Sequence, residues 1–318
     1  MKKTLMLAAS LVMSISLFAT GCSQKQTDKT QEQPKQEQQA SSPTYAHPDL
    51  LVDADWLKSN LNNVVVLDTR EAKSYKAKHV TGAVNVAWQP FTDMEAKKPG
   101  DKGWGTLLEP TKLAGVIGKL GIDGSKPVVI YNGAPEKTWG EDGRIAWTLK
   151  MAGIKNVKIL NGGWNAWEAK GYPTDANIPT PEPKNFTIAS MDQSLNTTTD
   201  YINANLGKIK IIDTRDVSEY NGATKYGEKR GGHLPGAINI PWTEVFNSDG
   251  TFKSQKDLEA LFSSKGINKN DEIVTYCTKG IRSGHMALVL RMAGYDKAKN
   301  YDASFYEWAG NENLKIEK

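Results

Sequence analysis

Cys277, Lys279, Gly280 and Arg282 stand within six residues of one another in YCTKGIRSG (276–284), a spacing that could activate a thiol. The segment leaves an apolar run, EIVTY (272–276), and enters a stretch of helical period, so it reads as a loop between strand and helix. If the loop curls around the sulfur, the backbone N–H groups of Thr278, Lys279, Gly280, Ile281 and Arg282 turn inward as an anion-binding nest, backed by the helix N-terminus. Gly280 permits the positive φ that such a curl demands. These features and the two cations lower the pKa of a thiol and favour its nucleophilic thiolate. A free cysteine can also be simple filling, because it packs as a small hydrophobe. Filling would not run straight into Thr, Lys, Gly and Arg. Cys277 is therefore the candidate nucleophile, and residues 278–282 are the candidate anion cradle.

The elements that must hold this loop are written twice. VVVLDTREAKSY (64–75) matches IKIIDTRDVSEY (209–220), and HVTGAVNVAW (79–88) matches HLPGAINIPW (233–242). VVIYN (128–132) matches IVTYC (273–277), and AWTLKMAG (146–153) matches ALVLRMAG (287–294). The order is the same in both halves, which is the mark of a duplicated unit. The expected domains are 47–173 and 186–318, joined by a linker at 174–185 within a proline-rich extended stretch. Runs such as VVVLD, VVIY and IKIID are apolar on both faces, as buried parallel strands are. Helices are expected at 142–153 and 283–293, each closed by glycine. The fold class is thus α/β, with helices covering a mainly parallel sheet in each half. Ligands of such sheets sit beyond the carboxyl ends of the strands, where Cys277 falls.

The paired DTR segments, HLPGAINIPW, the strand ending in Cys277, the C-x-x-G-x-R loop and NGGWNAW (161–167) together resemble the tandem-domain rhodaneses, a family of sulfurtransferases. That resemblance implies two tandem rhodanese-like domains, the first non-catalytic and the second catalytic. It implies a Cys277 persulfide that carries sulfur from thiosulfate to cyanide or a thiol, with no metal or other cofactor. It also implies that Arg230, just before GHLPGA, joins Lys279 and Arg282 at the substrate anion. In the first half Asn132 stands where Cys277 stands, and the loop that follows is four residues longer before Gly143 and Gly284 align. That half would be silent, packing against its twin and walling the cleft. His233, Asp213 and Arg215 recur as His79, Asp68 and Arg70 and so read as structural, and His285 is given no role. DASF (302–305) replaces NGGW (161–164) and is expected to lie away from the active loop. Three other readings stay open: 3-mercaptopyruvate as donor, a protein that carries or senses sulfur without turnover, and a phosphatase of the same fold. Phosphatase loops are one residue longer between Cys and Arg, which favours sulfur here.

The chain opens Met1-Lys2-Lys3 and continues with an uncharged, largely apolar run to Thr20, ending Ala19-Thr20-Gly21-Cys22. A basic start and a short apolar core describe an export signal, and the last four residues resemble a lipobox. The expectation is a lipoprotein signal at 1–21, lipid on Cys22, a disordered Gln- and Lys-rich tether at 22–46, and attachment to a bacterial membrane. A net charge of +4, about +2 without Lys2 and Lys3, leaves no footprint of nucleic-acid binding. Two cysteines exclude a disulfide framework and any cysteine-rich metal site.

Overall fold

The computed structural model describes residues 44–95 and 97–318. The expected leader, Cys22 and all but the last residues of the expected tether lie outside the described residues. The end of that tether is packed rather than free. Tyr45 is buried and its hydroxyl donates to the Lys253 carbonyl at 2.9 Å.

The first half runs β1 (Leu51–Val52), α1 (Ala54–Asn60), β2 (Val65–Asp68), α2 (Ala72–Ala77), β3 (His79–Val80), β4 (Val84–Asn85), α3 (Pro110–Lys119), β5 (Val128–Tyr131), α4 (Glu141–Met151), β6 (Val157–Leu160), α5 (Gly163–Ala169) and β7 (Thr174–Asp175). The second runs β8 (Asn196–Thr197), α6 (Thr199–Ala204), β9 (Lys210–Asp213), α7 (Val217–Tyr220), β10 (Ile238–Asn239), α8 (Gln255–Ser264), β11 (Ile273–Tyr276), α9 (Ile281–Met292), β12 (Ala298–Tyr301) and α10 (Ser304–Gly310). Each half builds a five-stranded parallel sheet, ordered β1-β6-β5-β2-β4 and β8-β12-β11-β9-β10. The two orders are equivalent, as duplication requires, and the α/β class read from the sequence is the one observed.

Alternation along the strands sorts their side chains between two layers. On β5, Val129 and Tyr131 face the outer layer with Leu57 of α1 and Trp167 of α5, whereas Val128 and Ile130 face a core shared by both halves. On β9, Ile211 faces outward and Ile212 faces that same shared core. The helices expected at 142–153 and 283–293 are α4 and α9, and they fill the middle of it. Both are buried on almost every side, so they lack the polar stripe of a surface helix. Each large side chain buried there, Trp147, Leu149 or Leu290 among them, contributes about 1.5–3 kcal/mol or more. The helices cross closely at Gly143, where a Cβ would lie 2.3 Å from the His285 ring.

Candidate active site

Tyr276 ends β11 beside Asp213 of β9, and its hydroxyl donates to the Asp213 carboxylate at 2.6 Å while accepting from Leu234 N–H. Cys277 follows at the carboxyl edge of the sheet, 2% exposed. Its N–H donates to Ser304 Oγ at 3.2 Å, and its carbonyl accepts from Phe305 N–H at 3.0 Å. The Thr278 carbonyl accepts from Tyr306 N–H at 3.1 Å, so the start of α10 braces the loop residue by residue. DASF therefore supports the active loop directly, contrary to expectation: the β12–α10 turn lies beside the β11 turn because the two strands are neighbours. The loop closes at Gly280, which caps α9 with φ +74°. A Cβ there would meet the Asp302 carbonyl at 2.6 Å, so no other residue fits.

Arg282 and Glu219 lock the loop from below. Arg282 donates through Nη1 and Nη2 to the two oxygens of the buried Glu219 carboxylate at 2.7 and 2.9 Å, and Nη2 also donates to Thr278 Oγ1 at 2.8 Å. Thr278 donates in turn to Glu219 at 3.0 Å. Burial pushes the Glu219 carboxyl up, but Arg282 and Thr278 outweigh it and hold the group below its ordinary range. Burial likewise pushes the Cys277 thiol up. The Arg282 charge, the Ser283 N–H and hydroxyl and the Lys279 N–H overcome that push, and the thiol lies below its ordinary value.

Lys279 points the other way, into a cage of rings. Its Nζ lies 4.0 Å from the Trp104 ring centroid, 4.8 Å from that of Trp88 and 5.6 Å from that of Tyr306. Burial lowers its pKa to about 8, with the Arg144 charge acting in the same sense and Cys277 opposing. Above the loop is a cavity of about 350 Å³ whose lining includes Cys277, Thr278, Lys279, Ile281 and Arg282. The first half contributes Trp88, Trp139 and Glu141 to the same wall.

The sequence pattern of the Rhodanese-like domain matches residues 53–170 and again 198–311. The chain belongs to the rhodanese family. It is 33% identical over 291 residues to the sulfur carrier protein TtuD of Thermus thermophilus, an alignment covering 86% of this chain and 98% of that protein. It is 29% identical over 288 residues to the thiosulfate sulfurtransferase of Corynebacterium glutamicum, covering 86% and 92%. Among solved structures, an anaerobic ergothioneine biosynthesis enzyme from Chlorobium limicola superposes with a TM-score of 0.75 at 19% identity, over 86% of this chain and 71% of that one, a likeness of fold.

Of the residues that sequence placed at this rhodanese site, Cys277, Thr278, Lys279, Gly280, Ile281 and Arg282 come together. Arg230 does not. Its guanidinium donates to the carbonyls of Trp308, Ala309, Asn311 and Leu314 at 2.6–3.0 Å, satisfying acceptors that the end of α10 leaves open. The positive charge available to a substrate is smaller than expected, since Arg282 is paired and Arg230 is elsewhere. His233 and Arg215 are structural: the ring stacks on Tyr220, and the guanidinium binds Asp213 and the Gly232 carbonyl.

Two further residues matter to the loop and escaped the sequence reading. Glu219 has a legible signal, because the aligned residue of the thiol-free half is Ser74. Arg144 has none. It lies on α4 of the first half, yet its Nη1 donates to the Gly280 carbonyl at 3.1 Å and to Asp302 at 2.5 Å. The first half's own position is closed. Asn132 donates to Glu141 at 2.8 Å, and Trp242, Phe246 and Phe252 of the second half pack over it, leaving a gap of about 20 Å³.

Proposed function

We propose that this rhodanese takes the outer sulfur of thiosulfate onto Cys277 and passes it to a thiol or cyanide, while attached to a bacterial membrane through lipid on Cys22. The observation that carries the reading is the thiol at the mouth of a closed loop, with its pKa lowered by Arg282, Ser283 and the Lys279 N–H against its own burial. The Cys277 thiolate attacks the outer sulfur, the S–S bond of thiosulfate breaks, and sulfite departs with the electron pair. The persulfide that remains faces the same donors. An acceptor nucleophile then attacks its outer sulfur, and the pair of that bond returns to Cys277. The cycle is ping-pong and needs no separate base to make the nucleophile. Lys279 favours the dianionic donor, because it is the cation at the cavity not consumed by an ion pair. Relatives named thiosulfate sulfurtransferase support this donor.

Cys277→Ser tests the chemistry. Mass spectrometry after thiosulfate treatment should find one added sulfur on the wild type and none on the variant, and thiocyanate formation should vanish with the fold intact. Turnover by the serine variant would remove Cys277 from the mechanism. For attachment, Cys22→Ser should move the protein from the membrane fraction to the soluble one, and unchanged fractionation would refute the anchor.

A further inference from the structure

The loop that silences the first half reaches the second half's cavity. Residues 133–140 are the longer of the two equivalent loops, and Trp139, next to its last residue, lines the wall above Cys277. Trp139 is 44% exposed and Tyr226, from the second half, is 39% exposed. Their rings meet edge to face, with centroids 5.6 Å apart. Few large hydrophobic side chains are so exposed among the described residues, and these two share one cavity. The clamp is held in place. Glu141 accepts from the Trp139 N–H at 2.9 Å, and the Arg282 guanidinium lies beneath both rings, 5.4 and 5.9 Å from their centroids. Because Arg282 is already paired with Glu219, what the clamp presents to the cavity is mainly the flat apolar surface of its rings.

A cavity of about 350 Å³ is far larger than cyanide or sulfite needs and falls at the small end of the range for organic ligands. Aromatic walls reward a flat ring that stacks on them. We propose that Trp139 and Tyr226 form the acceptor subsite, and that it selects an organic thiol carrying a planar ring over cyanide or a small hydrophilic thiol. This inference rests on the persulfide reading above. The acceptor thiolate, drawn toward Lys279, attacks the outer sulfur of the Cys277 persulfide. A new S–S bond forms on the acceptor, the bond to Cys277 breaks, and its electron pair leaves Cys277 as the thiolate. No oxidant or reductant is consumed.

The test separates the two half-reactions on the full chain. The protein is loaded with sulfur from thiosulfate, the persulfide is confirmed by mass, and its decay is followed with benzyl mercaptan, 2-mercaptoethanol or cyanide. The two thiols have alkyl sulfur of comparable nucleophilicity, so their rate ratio reports the ring. We expect the wild type to favour benzyl mercaptan by about tenfold. Trp139→Ala should cut that ratio by about fivefold or more, Tyr226→Ala should do likewise, and Trp139→Phe should restore most of it. A ratio unchanged by Trp139→Ala, or a wild type that prefers the small acceptors, overturns the subsite while leaving the persulfide standing. If no persulfide forms from any donor, both readings fall together.

Discussion

Ser304 holds φ at +54° although it is not glycine, and the equivalent Gly163 of the first half holds +53°. A left-handed residue with a Cβ costs about 1–2 kcal/mol. What the side chain returns is an acceptor for the Cys277 N–H, whose loss in a buried site costs about 1–3 kcal/mol. Ser304→Ala keeps the strain and loses the acceptor, so chemical denaturation should show it destabilised by about 1–3 kcal/mol. Ser304→Gly sheds both and should stay within about 1 kcal/mol of the wild type; equal losses in the two variants would contradict this account. Lys279 gives a second prediction, in pH. Its ammonium is charged below about 8, so kcat/KM for thiosulfate should fall as pH rises through that value, while loss of the thiolate limits the acid side. Lys279→Ser should lower kcat/KM for thiosulfate by about 10–100-fold, roughly 1.4–2.8 kcal/mol, with a smaller effect on 3-mercaptopyruvate. Lys279→Arg should move the alkaline limb upward, and an unmoved limb would exonerate this residue. At this scale the sequence showed the loop clearly, because Cys277, Gly280 and Arg282 are contiguous and each is chemically distinctive. It misled on Arg230, whose position before GHLPGA says nothing of the open carbonyls at the end of α10 that claim its guanidinium.

Helix α4 belongs to the thiol-free half and supports the cysteine loop of the other. Arg144 and Asp302 are both buried, and they join that helix to the β12–α10 turn through a shared contact at Gly280. Breaking such a pair from one side leaves a buried charge uncompensated, at a cost of about 3–5 kcal/mol. Arg144→Met should lower the urea midpoint accordingly, and adding Asp302→Asn should recover part of the loss. Strict additivity of the two changes would show that the pair is not coupled. The elements themselves were largely readable. Strands β2, β5, β9 and β11 announced themselves as short apolar runs, and glycines marked the ends of α4 and α9. Which polar residue of a helix crosses to the other half is a tertiary fact with no local periodicity, so nothing in the sequence singles out Arg144. The place of DASF is hidden for the same reason: it is 25 residues beyond Cys277 in the chain but one strand away in the sheet.

Both halves draw on one core. Side chains of α4 and α9 are buried in the same cluster, and Gly143 lets the helices approach so closely that the His285 ring occupies the space of a missing Cβ. Neither half can separate without exposing that surface, so unfolding should be one cooperative event. Calorimetry should record a single peak, and Cys277 should become reactive toward alkylation across the same transition; two resolved peaks would mean that the halves are independent after all. The entry of the chain follows a related design. Before joining the first sheet at β1, it crosses the second half: Tyr45 is buried with its hydroxyl on the Lys253 carbonyl, Ala46 N–H donates to Gln255, and His47 N–H donates to the Met292 carbonyl at 3.0 Å. In mechanical terms this segment is a strap. A pull on the amino-terminal end is taken up first at Lys253, then at the start of α8 and the end of α9, all on the thiol-bearing half, before it reaches β1.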